Sequence, residues 1–355
     1  FFAKPLGFAK KIQTHNRPNF FYFYFFEMVE HTYVNGYEII QQLGSGGYGE
    51  IFSVYSPSKE EIYALKTENI ETNNKGIHNE KEIIKLLPKT KHFPHIISEG
   101  ETSAIYYFII ELFGPSLSSI RHKLEMKHFS ISSTIKLGIE TIEIIEELHK
   151  NNIIHCDIKP SNFLLNKSII GGLVLIDYGL SEIQNNNNNN NNGDNNNNNN
   201  KTFKGTLKYA SINIHKMIEA EKRDDLISWF YMIIELGKGE LPWHNIKDPG
   251  LSMSYKQSIS TEKLCLGFPN EFQYIWNFIK NLKSKEEPKY SIIKEKLEES
   301  LENLNLKQEE IKYEWEENEG IILQLTPYPE LFLNNNNNNN KTNKNQKHVK
   351  KCIIY

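Results

Sequence analysis

The sequence predicts an α+β protein with two lobes around one cleft. Short β-branched and aromatic segments dominate residues 37–112, and segments with helical spacing of apolar residues dominate the chain from residue 130 onward. A mostly β first half followed by a mostly α second half is typical of this class. The chain has 355 residues, more than one hydrophobic core usually supports, so two packed lobes are expected.

The β-rich region contains four strand-like segments. YEIIQQLG, EIFSVYS, EIYALKTE and AIYYFIIEL are each short and bounded by Gly, Pro, Ser or charged turns. A helix is expected between Lys75 and Pro88, because apolar residues recur there at helical spacing and proline cannot continue a helix.

The second half contains three helical patterns. A long, largely buried helix is expected from Ser130 to Lys150, where the first serines are candidate N-caps. Residues 224–237 and 271–301 also show helical spacing of apolar side chains. These helices are expected to form the second lobe.

Composition excludes several protein classes. A formal net charge of -3 provides no global attraction to nucleic acid, and no run reaches the ~18 to 20 apolar residues that a membrane-spanning helix requires. Cys156, Cys265 and Cys352 are too few and too scattered for a disulfide framework or a zinc cluster, so a reducing compartment is expected. We therefore expect a cytoplasmic monomer, with the nucleus as an open alternative.

Three segments are expected to lie outside the folded core. Residues 185–200 and 334–340 are asparagine tracts, which cannot bury enough apolar surface to offset chain entropy, so both are expected to be disordered. Residues 1–32 contain FFYFYFF but lack the features of a signal peptide. Two interpretations of this extension stay open: translation starts at Met28 and residues 1–27 are a gene-model artefact, or the extension is real and poorly ordered.

A glycine-rich motif lies between the first two predicted strands. LGSGGYGEI places Gly44, Gly46 and Gly49 in the order G-x-G-x-x-G, which lets the backbone approach a phosphate closely. A dinucleotide site of the Rossmann type would need a helix directly after the glycines, whereas EIFSVYS is strand-like. A hairpin over a nucleotide is the favoured interpretation, although the motif alone is weak support.

A lysine and a glutamate follow the glycines. Lys66 lies in a strand-like run, and Glu80 lies on the predicted helix after it, where it could orient the lysine ammonium toward the α- and β-phosphates of ATP. Glu82 faces another side of that helix, so Glu80 is preferred. Taken singly, each of these residues is equally compatible with a solvated surface charge.

Four polar residues further along the chain provide the strongest signal. Asp157 precedes Lys159 by two positions and Asn162 by five in HCDIKPSNFLL, and Asp177 follows in VLIDYGLSE. Phosphoryl transfer needs in-line positioning and neutralisation of spreading negative charge. Asp157 is expected to accept or orient a substrate hydroxyl proton, and Lys159 to contact the transferring phosphate. Asn162 and Asp177 are expected to hold metal ions that bridge the ATP phosphates.

Together these motifs resemble the eukaryotic protein kinases, and within them the casein kinase 1 superfamily, most closely its tau-tubulin kinase branch. The resemblance also rests on ELFGPSL, FKGTLKYASINIHK, RDDLISWFYMIIELGKGELPWHNIKD and EEIKYEWEENEG. It implies a kinase domain at 33–320, with an N-lobe at 33–113, a C-lobe at 114–320, the insertion 185–200 in the activation segment, and a tail at 321–355. KPSN and Thr206 resemble serine/threonine rather than tyrosine kinases.

The resemblance implies ATP and Mg²⁺ as cofactors and assigns the residues of the nucleotide site. Ile110 resembles the gatekeeper at the back of the adenine pocket, and Asp225 resembles the buried aspartate that ties the catalytic loop to a central helix. The glycine loop, the walls of the adenine pocket, the Lys–Glu pair and the hinge are expected to bind ATP. These residues are Leu43, Gly44, Ser45, Gly46, Gly47, Tyr48, Gly49, Ile51, Lys66, Glu80, Glu111 and Leu112.

Two residues depart from the family pattern. Tyr178 replaces the usual Phe of D-F-G, and its hydroxyl needs a partner if it is buried. Cys156 replaces the arginine that in many kinases pairs with a phosphorylated activation segment, a contact that a thiol cannot make. The hypothesis is that activity does not depend on activation-segment phosphorylation. A small buried hydrophobe is favoured over a redox-sensitive thiol as the role of Cys156.

The expected partners are protein substrates. Lys204, Lys208 and Arg223 lie near positions where casein kinase 1 relatives bind an anion, which implies acidic substrates; solvated surface charges are the alternative reading. The tau-tubulin likeness implies cytoskeletal targets.

KKCIIY has the form of a prenylation box at Cys352, but Tyr is an atypical last residue, so a plain basic tail is favoured. A pseudokinase and an Asn-rich scaffold are the competing functions.

Overall fold

The computed structural model describes residues 32–46, 49–71, 76–166, 172–184, 203–318 and 320–328. The expectations for residues 1–31, Gly47, Tyr48, the tract at 185–200, the tract at 334–340 and Cys352 lie outside these residues. The described chain forms a β-rich N-lobe followed by a helical C-lobe, so the predicted two-lobed α+β fold is confirmed. Within the described ranges, no helix has both the length and the apolar character needed to cross a bilayer.

An antiparallel sheet forms the N-lobe. Its strands in the described residues are β1 (Tyr33–Val34), β2 (Tyr37–Gly46), β3 (Gly49–Ser56), β4 (Glu61–Asn69), β5 (Ile96–Glu101) and β6 (Ile105–Glu111). Their spatial order is β1-β2-β3-β4-β6-β5, and helix α1 (Gly76–Leu86) packs beside β4, β5 and β6. Strand β5 was not predicted, because IISEGE is half polar and exposes its last three residues.

Helices dominate the C-lobe. They are α2 (Leu117–Lys123), α3 (Ile131–Lys150), α4 (Ile212–His215), α5 (Lys222–Lys238), α6 (Pro249–Ser258), α7 (Thr261–Leu264), α8 (Glu271–Lys280), α9 (Tyr290–Asn303), α10 (Glu314–Glu317) and α11 (Gly320–Leu325). The Ser130 side chain caps α3 by accepting from the Ser133 amide, as expected of an N-cap serine.

One helical prediction needs correction. Residues 271–301 form two helices, α8 and α9, and residues 281–289 between them are not helical. Pro288 lies in this break, where it would remove a backbone donor from a continuous helix, and KSKEEP supplies no apolar residue to bury. The break lets α8 and α9 turn back on one another and pack together.

Short strands in the C-lobe frame the cleft. Strand β7 (Ile153–Ile154) pairs with β10 (Glu182–Ile183), and β8 (Phe163–Leu165) pairs with β9 (Leu173–Leu175). A 3₁₀ turn at Pro160–Asn162 precedes β8. The chain segments after β7 and β9 contact one another, because the Ile176 amide donates to the Asn162 carbonyl and the Ser181 hydroxyl donates to the His155 carbonyl.

The packed structure extends past the predicted end of the domain at residue 320. Ile321 and Ile322 are buried in the main hydrophobic core, and Tyr328 is buried against the N-lobe. Their burial makes residues 321–328 part of the fold, although these residues were predicted to belong to the tail.

Candidate active site

The glycine motif forms the turn end of the β2–β3 hairpin. Gly44 pairs with Ile51 and Gly46 with Gly49 across the two strands, as the hairpin interpretation expects. Gly49 has φ of 137°, and a Cβ at this position would lie 1.9 Å from the Thr67 carbonyl oxygen. Only glycine fits such a close approach, because any side chain would force β3 away from β4.

The expected lysine and glutamate meet in the cleft. Lys66 on β4 donates to Glu80 on α1 and, at 3.2 Å, to Asp177. Glu82, the alternative to Glu80, is exposed and lies 3.4 Å from Lys85 on the outer side of the helix. The structure therefore places Glu80, and not Glu82, against the lysine.

The charges of Lys66, Glu80 and Asp177 shift one another's pKa values. Burial alone would lower the pKa of the Lys66 ammonium, but the charges of Glu80 and Asp177 outweigh burial and raise that pKa. Burial alone would raise the pKa of Asp177, yet the hydrogen bond from Lys66 and the charges of Lys66, His155 and Lys159 together outweigh burial and lower that pKa. Asp177 therefore stays ionised at neutral pH, which suits a metal ligand.

Asp157 lies beside two donors. One carboxylate oxygen accepts from Lys159 at 2.5 Å, and the other accepts from the Thr206 hydroxyl at 2.7 Å. Lys159 also lies 3.3 Å from Thr206, so the three side chains form a closed cluster. The amide nitrogen of Asn162 donates to the Asp157 carbonyl at 2.9 Å, which leaves its Oδ1 as the atom suited to a cation.

The side chain of Asp225 on α5 holds the backbone at His155 and Cys156, the two residues before Asp157. Its carboxylate accepts from the His155 amide at 2.7 Å, from the Cys156 amide at 2.9 Å and from the His149 ring at 2.9 Å. Cys156 has φ of 67°, an unfavourable value for a residue with a side chain. The buried carboxylate fixes this strained conformation and so aims the next residue, Asp157, into the cleft.

The Tyr178 hydroxyl has the partner that burial requires. Tyr178 is fully buried and donates to the Leu175 carbonyl at 2.8 Å, while its ring lies 5.2 Å from the His155 ring. The replacement of Phe by Tyr is therefore accommodated without an unpaired polar group.

A model of the protein kinase domain family matches residues 37–307, which is more than half of the chain. The chain belongs to the protein kinase family. It is also similar to a probable serine/threonine-protein kinase of Dictyostelium discoideum, with 32% identity over 280 residues. The match covers 78% of this chain and 56% of that relative, so the chain spans little more than half of the relative's length.

In this kinase domain, the half-buried Cys156 packs against an apolar cluster. The cluster contains Ile154, Ala210, Ile214 and Ala220, and Phe203 also packs against it. Burial raises the pKa of the Cys156 thiol well above its ordinary value, so the thiol stays protonated. These contacts are apolar, but Cys156 is half-buried, so its role as a small buried hydrophobe stays a prediction.

The three basic residues near the cleft all have acidic neighbours. Lys208 lies 2.6 Å from Glu235, and Arg223 lies 2.8 Å from Glu221. Lys204 pairs with Glu182. Lys204 and Arg223 are thus paired within the domain, whereas Lys208 shares the Glu235 carboxylate with Arg121. The pairing of Lys204 and Arg223 weakens the basis for a preformed anion site.

The ATP and Mg²⁺ expected of a protein kinase can be tested against the side chains present. Asn162 and Asp177 offer the hard oxygen ligands that Mg²⁺ prefers, and Mg²⁺ usually needs few protein ligands because phosphates and waters complete its shell. No cluster of three or more His, Cys, Asp or Glu side chains that could hold a metal ion occurs in the described ranges. Asn162 and Asp177 therefore fit Mg²⁺ that binds together with ATP, because the phosphates would supply further ligands.

Sequence reasoning missed two polar contacts around the site. Asn79, directly before Glu80, donates to the carbonyls of Gly179 and Ser181 at 3.1 Å each, and lies 3.4 Å from the Tyr178 carbonyl. The side chain of Glu111, in the expected hinge, accepts from the His95 amide at 2.8 Å. The partners of both residues are distant in sequence, so no local pattern could have indicated these contacts.

Proposed function

We propose that this chain is a serine/threonine protein kinase that transfers the γ-phosphate of ATP to hydroxyl groups of protein substrates. The observation that carries the proposal is the cluster of Asp157, Lys159 and Thr206 at the mouth of a cleft that also contains Lys66 paired with Glu80. A pseudokinase, which does not transfer phosphate, would not need these side chains to lie together in the cleft. An Asn-rich scaffold would not need the cleft at all.

The side chains divide the work of phosphoryl transfer. Asp157, fixed by two donors, accepts or orients the proton of the incoming hydroxyl. Lys159 contacts the transferring phosphate and offsets its charge. Lys66, oriented by Glu80, holds the α- and β-phosphates, and the β2–β3 glycine turn covers them.

The adenine ring is proposed to lie between Leu43 and Ile51 above and the hinge behind. Glu111 ends β6, Leu112 follows it, and the expected gatekeeper Ile110 precedes it in the strand. Gly44, Ser45, Gly46 and Gly49 line the phosphate side. The proposed roles of Gly47 and Tyr48 rest on the sequence alone.

Asn162 and Asp177 would hold Mg²⁺. When bound, the ion would supply positive charge at the phosphate oxygens as negative charge develops there. The low pKa of Asp177 and the orientation of the Asn162 amide support this assignment.

We further propose that activity does not require phosphorylation of the activation segment. Three contacts that need no phosphate support this. Phe203 packs against the apolar cluster that Cys156 also contacts, Lys204 pairs with Glu182, and the Asn79 side chain donates to the Gly179 carbonyl after Asp177. Together they order both ends of the segment. Treatment with a broad-specificity phosphatase should leave the specific activity unchanged, and its loss would overturn this proposal.

The finer family assignment is also proposed. The casein kinase 1 superfamily, and its tau-tubulin kinase branch, is supported by the motifs ELFGPSL, KPSN and YASIN. Acidic or cytoskeletal proteins are the corresponding substrates. A peptide library tested with wild type and with K208A and R223A variants checks the acidic preference; an unchanged preference in both variants would remove these residues from substrate recognition.

The proposed setting is a cytoplasmic monomer, with the nucleus as the alternative. It is supported by the small number of cysteines and by the burial of Cys265 among apolar side chains. Light scattering of purified protein checks the monomer, and imaging of the full-length protein in its own cells checks the compartment.

The decisive experiment compares wild type with Asp157→Ala and Asp157→Asn in a kinase assay on a peptide library. Both variants should lose at least about a hundredfold in kcat while nucleotide binding is retained, because the side chain acts on the hydroxyl and not on ATP. Equal phosphorylation by all three proteins would contradict the enzyme proposal. ATP binding without any wild-type turnover would favour the pseudokinase.

A further inference from the structure

The chain after α9 runs back across the C-lobe toward the hinge. Tyr313 and Trp315 stack with ring centroids 4.1 Å apart, and the Trp315 ring packs edge-on against Phe129. The Glu314 side chain accepts from the Ser130 amide at 2.7 Å. These contacts anchor the chain firmly at the start of α3, within the C-lobe.

The next turn of the chain approaches the hinge. Helix α11 packs on α2, the first helix after the hinge, and its Ile321 and Ile322 are 7% and 0% exposed. Because α2 begins at Leu117, only five residues after Leu112, α11 lies on the C-lobe side of the connection between the lobes.

The chain then enters the N-lobe. Tyr328 is 8% exposed and forms a cluster with Ile62 on β4 and with Leu112 in the hinge. Its hydroxyl lies 2.8 Å from the hydroxyl of Ser53 on β3, a buried hydrogen bond between residues far apart in sequence. Residues 320–328, which we name the strap, thus join the lobes a second time beside the hinge.

The strap ends next to the proposed nucleotide pocket. Side chains alternate along a strand, so Ser53 shares a face of β3 with Ile51, the expected wall of the adenine pocket. Ala64, which pairs with Ser53 across the sheet, shares a face of β4 with Lys66 and packs on the Tyr328 cluster. A change at Tyr328 is therefore transmitted to both strands that cover the nucleotide.

We propose that the strap sets the separation of the two lobes and that Tyr328 is a positioning residue for ATP. The inference rests on the proposed ATP site and adds a residue to it that no catalytic motif contains. Tyr328 contacts the hinge and the two strands that cover the nucleotide, β3 and β4, so its removal lets the N-lobe rotate away from the C-lobe. ATP would then be held less tightly, whereas the catalytic loop, built entirely in the C-lobe, would be unchanged.

Tyr328→Ala is expected to raise KM for ATP roughly five- to tenfold and to leave kcat within about twofold of wild type. Tyr328→Phe keeps the ring and loses only the hydrogen bond, as does Ser53→Ala from the other side, so each should raise KM about twofold. Tyr274→Ala, which removes a tyrosine that is 51% exposed on α8, is the matched control and should match wild type.

Two further measurements make the test independent of catalysis. Nucleotide affinity is measured directly with a fluorescent ATP analogue, and hydrogen exchange is followed at the amides of 49–56, 61–69 and 112–116. Faster exchange there in Tyr328→Ala, with unchanged exchange in α3 and α5, supports the strap even if the wild type transfers no phosphate. Should Tyr328→Ala unfold, Tyr328→Phe and Ser53→Ala provide the same comparison in milder form.

Two results would overturn the inference. One is an unchanged KM, nucleotide affinity and hinge exchange in Tyr328→Ala. The other is a fall in kcat with constant KM, which would place the effect of Tyr328 on the chemical step and not on the nucleotide. A wild type that binds ATP but never phosphorylates a peptide would contradict the proposed function while leaving the affinity test of the strap intact.

Discussion

The carboxylate of Asp225 accepts a hydrogen bond from the backbone amide of Cys156 at 2.9 Å, one residue before the proposed catalytic aspartate. Its other oxygen accepts from the His155 amide at 2.7 Å. The side chain at position 156 takes no part in either bond. The position of Asp157 is therefore set through the backbone, and the replacement of arginine by cysteine leaves it undisturbed.

Asp225→Asn should be strongly destabilising. An amide NH₂ would face backbone N–H donors in a site that is 2% exposed, so about 2 to 3 kcal/mol of unfolding free energy should be lost, and kcat with it. Urea unfolding and a kinase assay measure the two effects. Asp248→Asn is the matched control, since asparagine caps α6 as well as aspartate does. Equal losses in both variants would argue against a special role for Asp225.

Glu80→Gln should reduce turnover more than it reduces stability. Glutamine keeps the size of the side chain but removes the charge that orients Lys66, so a fall in kcat on the order of tenfold or more is expected. Glu82→Gln, on the exposed side of the same helix, should behave like wild type. Similar kinetics for the two variants would contradict the assignment of Glu80.

Asn79 should matter for the order of the segment after Asp177. Asn79→Leu removes the donor to the Gly179 and Ser181 carbonyls and is expected to lower kcat several-fold, because Asp177 loses support. Thermal unfolding and kcat are compared with those of His78→Ala, an exposed neighbour on α1. If phosphatase treatment inactivates the Asn79→Leu variant but not the wild type, the Asn79 amide replaces a contact that would otherwise need a phosphate group. An unchanged kcat in Asn79→Leu would contradict this role.

Lys256 gives the stability a pH dependence. Its ammonium donates to the carbonyls of Leu207 and Ala210 and lies 3.1 Å from the His215 ring, with no acidic partner in these contacts. Burial lowers the pKa of Lys256 to about 7 from its ordinary 10.5. Between these values the unfolded chain binds the proton that the folded chain releases, so this group makes stability rise with pH.

Lys256→Met should remove that rise. Urea unfolding at pH 6.5 and at pH 9.5 is expected to show a larger gain with pH for wild type than for the variant. His215 has its pKa lowered to about 4 by burial and by Lys256, so in the folded protein it does not titrate in this window. In the unfolded chain its ordinary pKa of 6.5 adds a small rise near pH 6.5. Lys263→Met, an exposed lysine on α7, is the control and should retain the wild-type slope. Parallel slopes for wild type and Lys256→Met would contradict the assignment.

The described cysteines should resist alkylation in the native protein. Burial raises the pKa of Cys156 well above its ordinary value and that of Cys265 to about 12, so little thiolate forms at pH 8. Iodoacetamide followed by peptide mass spectrometry should modify both thiols in urea and neither in buffer. Rapid modification of Cys156 in buffer would restore the redox-sensor alternative.

Much of the fold could be predicted because its signals are local. The strands containing Lys66 and Ile110 alternate or run apolar over seven to nine residues, and α3 shows a helical period over 20 residues. The order of Gly49, Lys66 and Glu80 indicated the site before any geometry was known, since phosphate chemistry requires each of these groups.

The features that escaped prediction depend on distant partners. Tyr328 has no pattern around it that indicates burial, and its contacts lie in two strands and the expected hinge, all more than 200 residues earlier in the chain. Asn79 reads as an ordinary polar residue on a helix until the chain after Asp177 is placed beside it. The break at 281–289 was missed because apolar spacing continues on both sides of it.

The two ends of the activation segment are held by separate contacts. Before the asparagine tract, the Gln184 amide donates to the Asn152 carbonyl at 2.7 Å. After it, Gly205 has φ of 93° and comes so near the Cys156 carbonyl that a Cβ would lie 2.6 Å from its oxygen. Neither fastening uses the intervening residues. A change in the length of the tract is therefore expected to leave both fixed ends in place, because the free energy of closing a loop grows only slowly with its length.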